Sequence, residues 1–76
     1  MTLDLRRLKA ERIASGLSQD EMAKKMGWKS RSPYAKRENG ITPIGADELL
    51  QMANILGYSA KELNIFFTFN VANRER

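Results

Sequence analysis

The sequence contains no cysteine and no histidine. The first absence excludes disulfides and thiolate chemistry, and the second leaves any zinc site to carboxylates alone. There is also no glycine-rich phosphate loop and no carboxylate pair set for acid–base work, so nothing in the chain points to catalysis. A non-enzyme without metal or cofactor is expected. Long apolar runs are missing too, since none approaches the ~20 residues of a membrane span. Arg6 and Arg7 follow the start, but the residues after them stay charged, unlike a signal peptide. These absences predict a soluble, cytoplasmic protein.

The 76 residues present suit one domain, near the lower limit at which a core holds without staples. The charged fraction is too low for disorder. Charge is distributed unevenly. Lys24, Lys25, Lys29, Arg31, Lys36 and Arg37 fall in one short stretch with no acid after Glu21 and before Glu38. Outside it the acidic residues outnumber the basic ones. A basic patch on a slightly acidic body is the electrostatic footprint of a polyanion binder, although a solvated basic face reads the same way.

Helical periodicity dominates the pattern. A first helix is predicted from about Leu3 to Ser15, with Leu5, Leu8 and Ile13 on one face and Arg12 among them. An arginine in an apolar stripe needs a partner, because an unpaired buried charge is costly. Gly16 ends the helix. Ser18-Gln19-Asp20-Glu21 then reads as a capping box opening a second helix that buries Met22, Ala23 and Met26. Gly27 closes it, and Trp28-Lys29 make the turn. Ser30 is the expected N-cap of the third helix, with Pro33 tolerated only in its first turn. This helix runs to Asn39, with Tyr34 and Glu38 close together and Ser32, Lys36 and Asn39 on a separate polar face.

After Gly40 a loop leads to a fourth helix, about Ala46 to Leu56, apolar around most of its girth as a central core helix would be. Ser59-Ala60-Lys61-Glu62 reads as a second capping box, opening a short helix through Leu63, Phe66 and Phe67. Residues 1–67 thus form the domain, and Thr68 to Arg76 form a tail that either dimerises or is disordered. Phe67, Phe69 and Val71 alternate with polar residues there, which suits an added strand. The group Phe66, Phe67 and Phe69 is more than a small bundle can bury, so part of it reads as a dimer surface.

Leu8-Lys9 with Arg12, Gly16-Leu17-Ser18-Gln19, Met22-Ala23, Gly27, Glu38-Asn39-Gly40, Leu49, Met52-Ala53, Leu56-Gly57 and Glu62-Leu63 occur in an order that carries a resemblance. From about Leu8 to Phe66 the chain resembles the Cro and repressor headpieces, the XRE group of helix-turn-helix regulators. The resemblance implies an all-α, compact five-helix lambda-repressor-like bundle that binds double-stranded DNA as a repressor-like regulator. Its third helix, about Arg31 to Asn39, would lie in the major groove. It also implies a structural ion pair between Arg12 and Glu38. Two departures stand out. The turn from Gly27 to Tyr34 is one residue longer than the commonest spacing, and Arg37 stands where many relatives are apolar.

Carried over by position, Arg31, Ser32, Ala35 and Lys36 match base-facing sites. Arg31 suits guanine O6 and N7, Lys36 a guanine or a phosphate, and Ala35 a thymine methyl. Gln19, Ser18, Lys9, Lys29, Asn39, Gly40 and Thr42 match the phosphate-contacting surroundings, and the stem of Arg37 could cover the core edge while its head reaches a phosphate. Lys24 and Lys25 read as solvated, and Trp28 and Tyr34 as packing residues. A homodimer would read half-sites ~34 Å apart. The rival reading is a protein-binding module, such as an antitoxin or antirepressor acting through a partner protein. The size suggests, by analogy only, a phage or mobile-element regulator.

Overall fold

Local capping chemistry sets most helix starts. In the computed structural model, which describes residues 1–68, Asp4 caps α1 (Leu5–Ala14) by accepting the Arg7 N–H at 3.1 Å. The helix therefore begins later than the predicted Leu3, which lies instead in strand β1 (Thr2–Leu3). β1 pairs antiparallel with β2 (Phe67–Thr68), Thr2 opposite Thr68 and Leu3 opposite Phe67. The predicted border between domain and tail thus falls inside a strand. Phe69 and Val71 lie outside the described residues.

Ser18 opens α2 (Gln19–Lys25) with a reciprocal box: its Oγ accepts the Glu21 N–H at 3.0 Å, and the Glu21 carboxylate accepts the Ser18 N–H at 2.9 Å. α3 spans Ser32–Glu38, and here the expected Ser30 cap is not found. Arg31 takes that position, its carbonyl accepting the N–H groups of Tyr34 and Ala35, with no side chain capping the helix. Its backbone is already helical, which moves the cap one residue past the serine. α4 (Ala46–Ile55) follows Gly45, whose N–H donates to the Glu48 carboxylate at 3.0 Å.

The final helix, Ala60–Phe66, winds as a 3-10 helix. The Glu62 carboxylate accepts the Ser59 N–H at 2.9 Å, but the Glu62 N–H bonds the Ser59 carbonyl, the tighter 3-10 repeat. Four α-helices and this turn make the all-α five-helix bundle. No helix among the described residues is long and apolar enough to cross a membrane.

Leu8, Met22, Ala23, Met26, Tyr34, Leu49, Met52, Ala53 and Phe66 form the buried core. Two expectations fail there. Ile13 is 58% exposed, because the buried stripe of α1 runs through Leu8 and Arg12 and Ile13 sits 100° past it. Phe66 is fully buried, edge-on to Tyr58 with ring centroids 5.6 Å apart, so it belongs to the core and not to a dimer surface. Pairing β2 with β1 folds the chain back and carries Phe66 inward. At the end of α3, Gly40 has φ +81°, and a Cβ there would meet Leu5 Cδ1 at 3.3 Å.

Candidate nucleic-acid interface

Three helices meet at one carboxylate. Glu38, in the last turn of α3, accepts Arg12 Nε on Oε2 at 2.8 Å and Arg12 Nη2 on Oε1 at 3.2 Å. The Tyr34 hydroxyl donates to Oε2 at 2.7 Å, and Gln19 Nε2 donates to Oε1 at 2.9 Å. The remaining fork of Arg12, Nη1, donates to the Leu17 carbonyl at 2.6 Å. Both charges are almost wholly buried, with side chains 9% and 1% exposed. Burial alone would push the Glu38 pKa up, but the hydrogen bonds from Arg12, Tyr34 and Gln19 outweigh it and hold the carboxyl below its usual range. Burial, reinforced by Glu38, pushes the Tyr34 phenol well up. The node fixes α3 against α1 and the start of α2.

What it holds outward is the opposite face of α3. Ser32, Lys36 and Asn39 are exposed on that side, Ala35 is half-buried among them, and Arg31 is exposed at the helix start. The loop after Gly40 folds back on the last turn of α3, where the Lys36 carbonyl accepts the N–H groups of Ile41 (2.8 Å) and Thr42 (3.2 Å). Asn39, Gly40 and half-buried Thr42 are thereby kept beside the helix, and Gln19 approaches it through Glu38. Lys29 is exposed in the turn and Lys9 is exposed on α1, and among the described residues neither side chain makes an ion pair. Ser18 is exposed, and its oxygen already serves as a helix cap.

Arg37 departs from its expected phosphate role. Its Nε and Nη2 donate to the two Glu48 oxygens at 2.9 and 3.1 Å, Nη1 donates to the Pro33 carbonyl at 2.8 Å, and its guanidinium lies 4.5 Å from the Trp28 ring centroid. Its head is therefore spent on joining α3 to α4. Hydrogen bonding by Arg37, followed by that of the Gly45 N–H, holds the Glu48 carboxyl below its usual range. Neither link was visible as a motif, because Arg37 and Glu48 face each other across a loop. The Gln19–Glu38 bond was missed for the same reason.

The cationic stretch is consequently not uniform. Lys24 lies 3.3 Å from Asp20 and Arg37 is paired with Glu48, while Lys25, Lys29, Arg31 and Lys36 make no ion pair among the described residues. Two surface hollows, of about 670 and 210 Å³, flank the α3–α4 loop and not the outer face of α3. Of the charged residues lining the larger one, Arg37 and Glu48 already satisfy each other, and Asp47 is exposed beside them.

This arrangement agrees with comparison at the level of families. The helix-turn-helix family model matches residues 8–63, which is most of the chain and covers α1 from Leu8 onward and all of α2 to α4. No curated protein and no solved structure matches the sequence significantly. That family is one of DNA-binding domains and not of enzymes. With the motif, the bundle around it and the matched span in agreement, the chain belongs to the helix-turn-helix family, as a DNA-binding domain of the XRE type.

Proposed function

We propose that the protein is a cytoplasmic, sequence-specific transcriptional regulator of the repressor kind that lays α3 in the major groove of double-stranded DNA. One observation carries this reading: small side chains, Ser32 and Ala35, are flanked by the exposed cations Arg31 and Lys36, on a helix whose other face is locked by Glu38. Small residues let the helix axis approach the base edges. A planar arginine at one end suits guanine, and a long lysine reaches either a base or a phosphate. Gln19, Ser18, Lys9, Lys29, Asn39, Gly40 and Thr42 are the proposed backbone-contacting set, now without Arg37.

A twofold dimer reading half-sites ~34 Å apart completes the proposal. Phe66 has no part in its interface, leaving half-buried Phe67, and Phe69 outside the described residues, as the aromatic candidates. Fluorescence anisotropy against a nonspecific duplex at two salt concentrations tests the reading, followed by selection of bound sites from a random DNA pool. Binding that weakens steeply with salt, and one enriched half-site motif, are expected. A module acting only through a protein partner would show neither.

A further inference from the structure

We propose that Glu38, which lies too deep to touch DNA itself, is a positioning residue for DNA binding: it orients the side-chain amide of Gln19 so that the remaining N–H of that amide is offered to a DNA phosphate. The inference rests on the DNA-binding reading above and adds a residue that acts at one remove.

An ionised carboxylate can only accept hydrogen bonds. Gln19 therefore must turn its nitrogen, not its oxygen, toward Glu38 Oε1, 2.9 Å away, which settles the orientation of a group whose two ends are otherwise hard to tell apart. One of the two N–H bonds is consumed by this contact. Among the described residues the Gln19 amide makes no other hydrogen bond, so its second N–H and its carbonyl oxygen are left over. Gln19 is half-buried, whereas Arg12, Tyr34 and Glu38 are all buried, so Gln19 is the one member of the node that reaches solvent.

Glu38 does not need Gln19 for charge balance, because Arg12 already meets it with two N–H groups and Tyr34 with a hydroxyl. What Gln19 gains is a fixed rotamer in the free protein, and a donor ordered before binding loses less freedom on meeting its acceptor. Gln19 opens α2 directly beside the end of α3, so a strand that passes the outer face of α3 brings its phosphates to this edge. The node that stabilises the bundle thus also aims a neutral phosphate donor.

The test uses the full chain, a labelled nonspecific duplex and a salt titration. Wild-type protein should bind with marked salt dependence; no binding would remove the DNA reading and this inference with it. Gln19→Ala, checked by circular dichroism for an intact fold, should bind about tenfold more weakly, the scale of a lost hydrogen bond to a charged group. Its salt slope should match wild type, because a neutral amide displaces no counterion.

The same substitution is then placed in an Arg12→Met/Tyr34→Phe/Glu38→Met background, where apolar replacement removes the anchor without stranding a buried charge. There Gln19→Ala should change affinity less than twofold. Should that background fail to fold, side-chain amide exchange by NMR in the free wild-type protein decides. One Gln19 Nε2 proton should exchange with solvent far more slowly than those of exposed Asn54, whose amide makes no hydrogen bond among the described residues. Wild-type binding that Gln19→Ala leaves intact, a tenfold loss that persists without the anchor, or Gln19 protons exchanging as fast as those of Asn54 would each overturn the positioning role while leaving the DNA reading standing.

Discussion

Arg37 and Glu48 face each other as a planar fork and a carboxylate, with parallel contacts of 2.9 and 3.1 Å across the loop that separates α3 from α4. The Trp28 ring closes one side of the guanidinium at 4.5 Å. Side chains 18% and 30% exposed place the pair between surface and core, so its worth lies above that of an exposed bridge and below that of a buried one. Arg37→Ala is expected to cost about 1–2 kcal/mol, from three hydrogen bonds of a charged donor and one cation–π contact discounted for solvent. Arg37→Lys should recover little of it, because an ammonium has no fork. Urea melts measure both. Neither variant should alter the salt slope of DNA binding, since this charge is already matched inside the protein.

The Arg12–Glu38 pair should behave more severely. Removing one member leaves the other charged, buried and unpaired, at a cost of ~3–5 kcal/mol. For a domain of this size that is most of the available stability. Arg12→Ala or Glu38→Ala is therefore expected to be largely unfolded at 37 °C by circular dichroism. Replacing both by methionine should give a higher melting temperature than either single alanine variant. A single variant that melts near wild type would contradict the account of the node.

How far the sequence exposed this arrangement depends on distance along the chain. The Ser18–Glu21 box and the core face of α2 were legible because their partners lie three or four residues apart, where helix geometry is deterministic. Arg12 and Glu38 announced themselves singly, as charges on faces that had to be buried, and family resemblance joined them. A strand starting near Phe67 was legible from its alternation, but its partner was not, because Thr2 and Thr68 meet from opposite ends of the described chain. That one contact explains two errors at once: it delays α1 past Leu3, and it turns Phe66 from a surface candidate into core. Arg37 was misassigned because nothing local tells a phosphate-seeking arginine from one whose acceptor waits on the next helix.

Acid should act through glutamates. Glu38, Glu11, Glu21 and Glu48 all have folded-state pKa values below their ordinary ones. For Glu11 the causes are hydrogen bonding by Tyr58, then by Arg7, and for Glu21 the Ser18 backbone, then its hydroxyl. A depressed carboxyl contributes stability that is present above its unfolded value, about 4.3, and is lost as pH falls through the lower folded value. With no histidine in the chain, no side chain titrates near neutrality at its ordinary pKa. The melting temperature should stay level from pH 7 to about 5.5 and decline below about pH 4.5. A decline that begins above pH 5.5 would contradict this assignment.

Gly40 combines two constraints at the exit of α3. Its φ of +81° is strained for any side chain, and an added Cβ would press on Leu5 Cδ1 at 3.3 Å. At Gly16, φ is +76° and nothing lies within 4 Å of the added atom. Gly16→Ala should therefore cost about 1 kcal/mol from strain alone, and Gly40→Ala more, by whatever the α1 contact must yield. Because Gly40 also anchors the loop that carries Thr42, its variant should weaken DNA binding even at temperatures where the fold persists. Parallel melts and anisotropy titrations separate the two effects.

The cations of the patch should divide by what each already touches. Lys36 and Arg31 are exposed and make no ion pair among the described residues, whereas Lys24 is 3.3 Å from Asp20 on the exposed side of α2. A phosphate contact through Lys36 would be lost in Lys36→Ala for every duplex alike, and the salt slope would fall by about 0.9. A base contact through Arg31 would instead show in Arg31→Ala as ~1–3 kcal/mol lost only on the selected site, with discrimination relaxed at one base pair. Lys24→Ala should do neither, since it acts at most through the long-range field. Titrations of the three variants on the selected site and on a scrambled duplex, each at several salt concentrations, resolve these patterns. Equal, sequence-independent losses at all three positions would mean that the outer face of α3 contributes charge without reading bases, and α3 would then have to lie outside the groove.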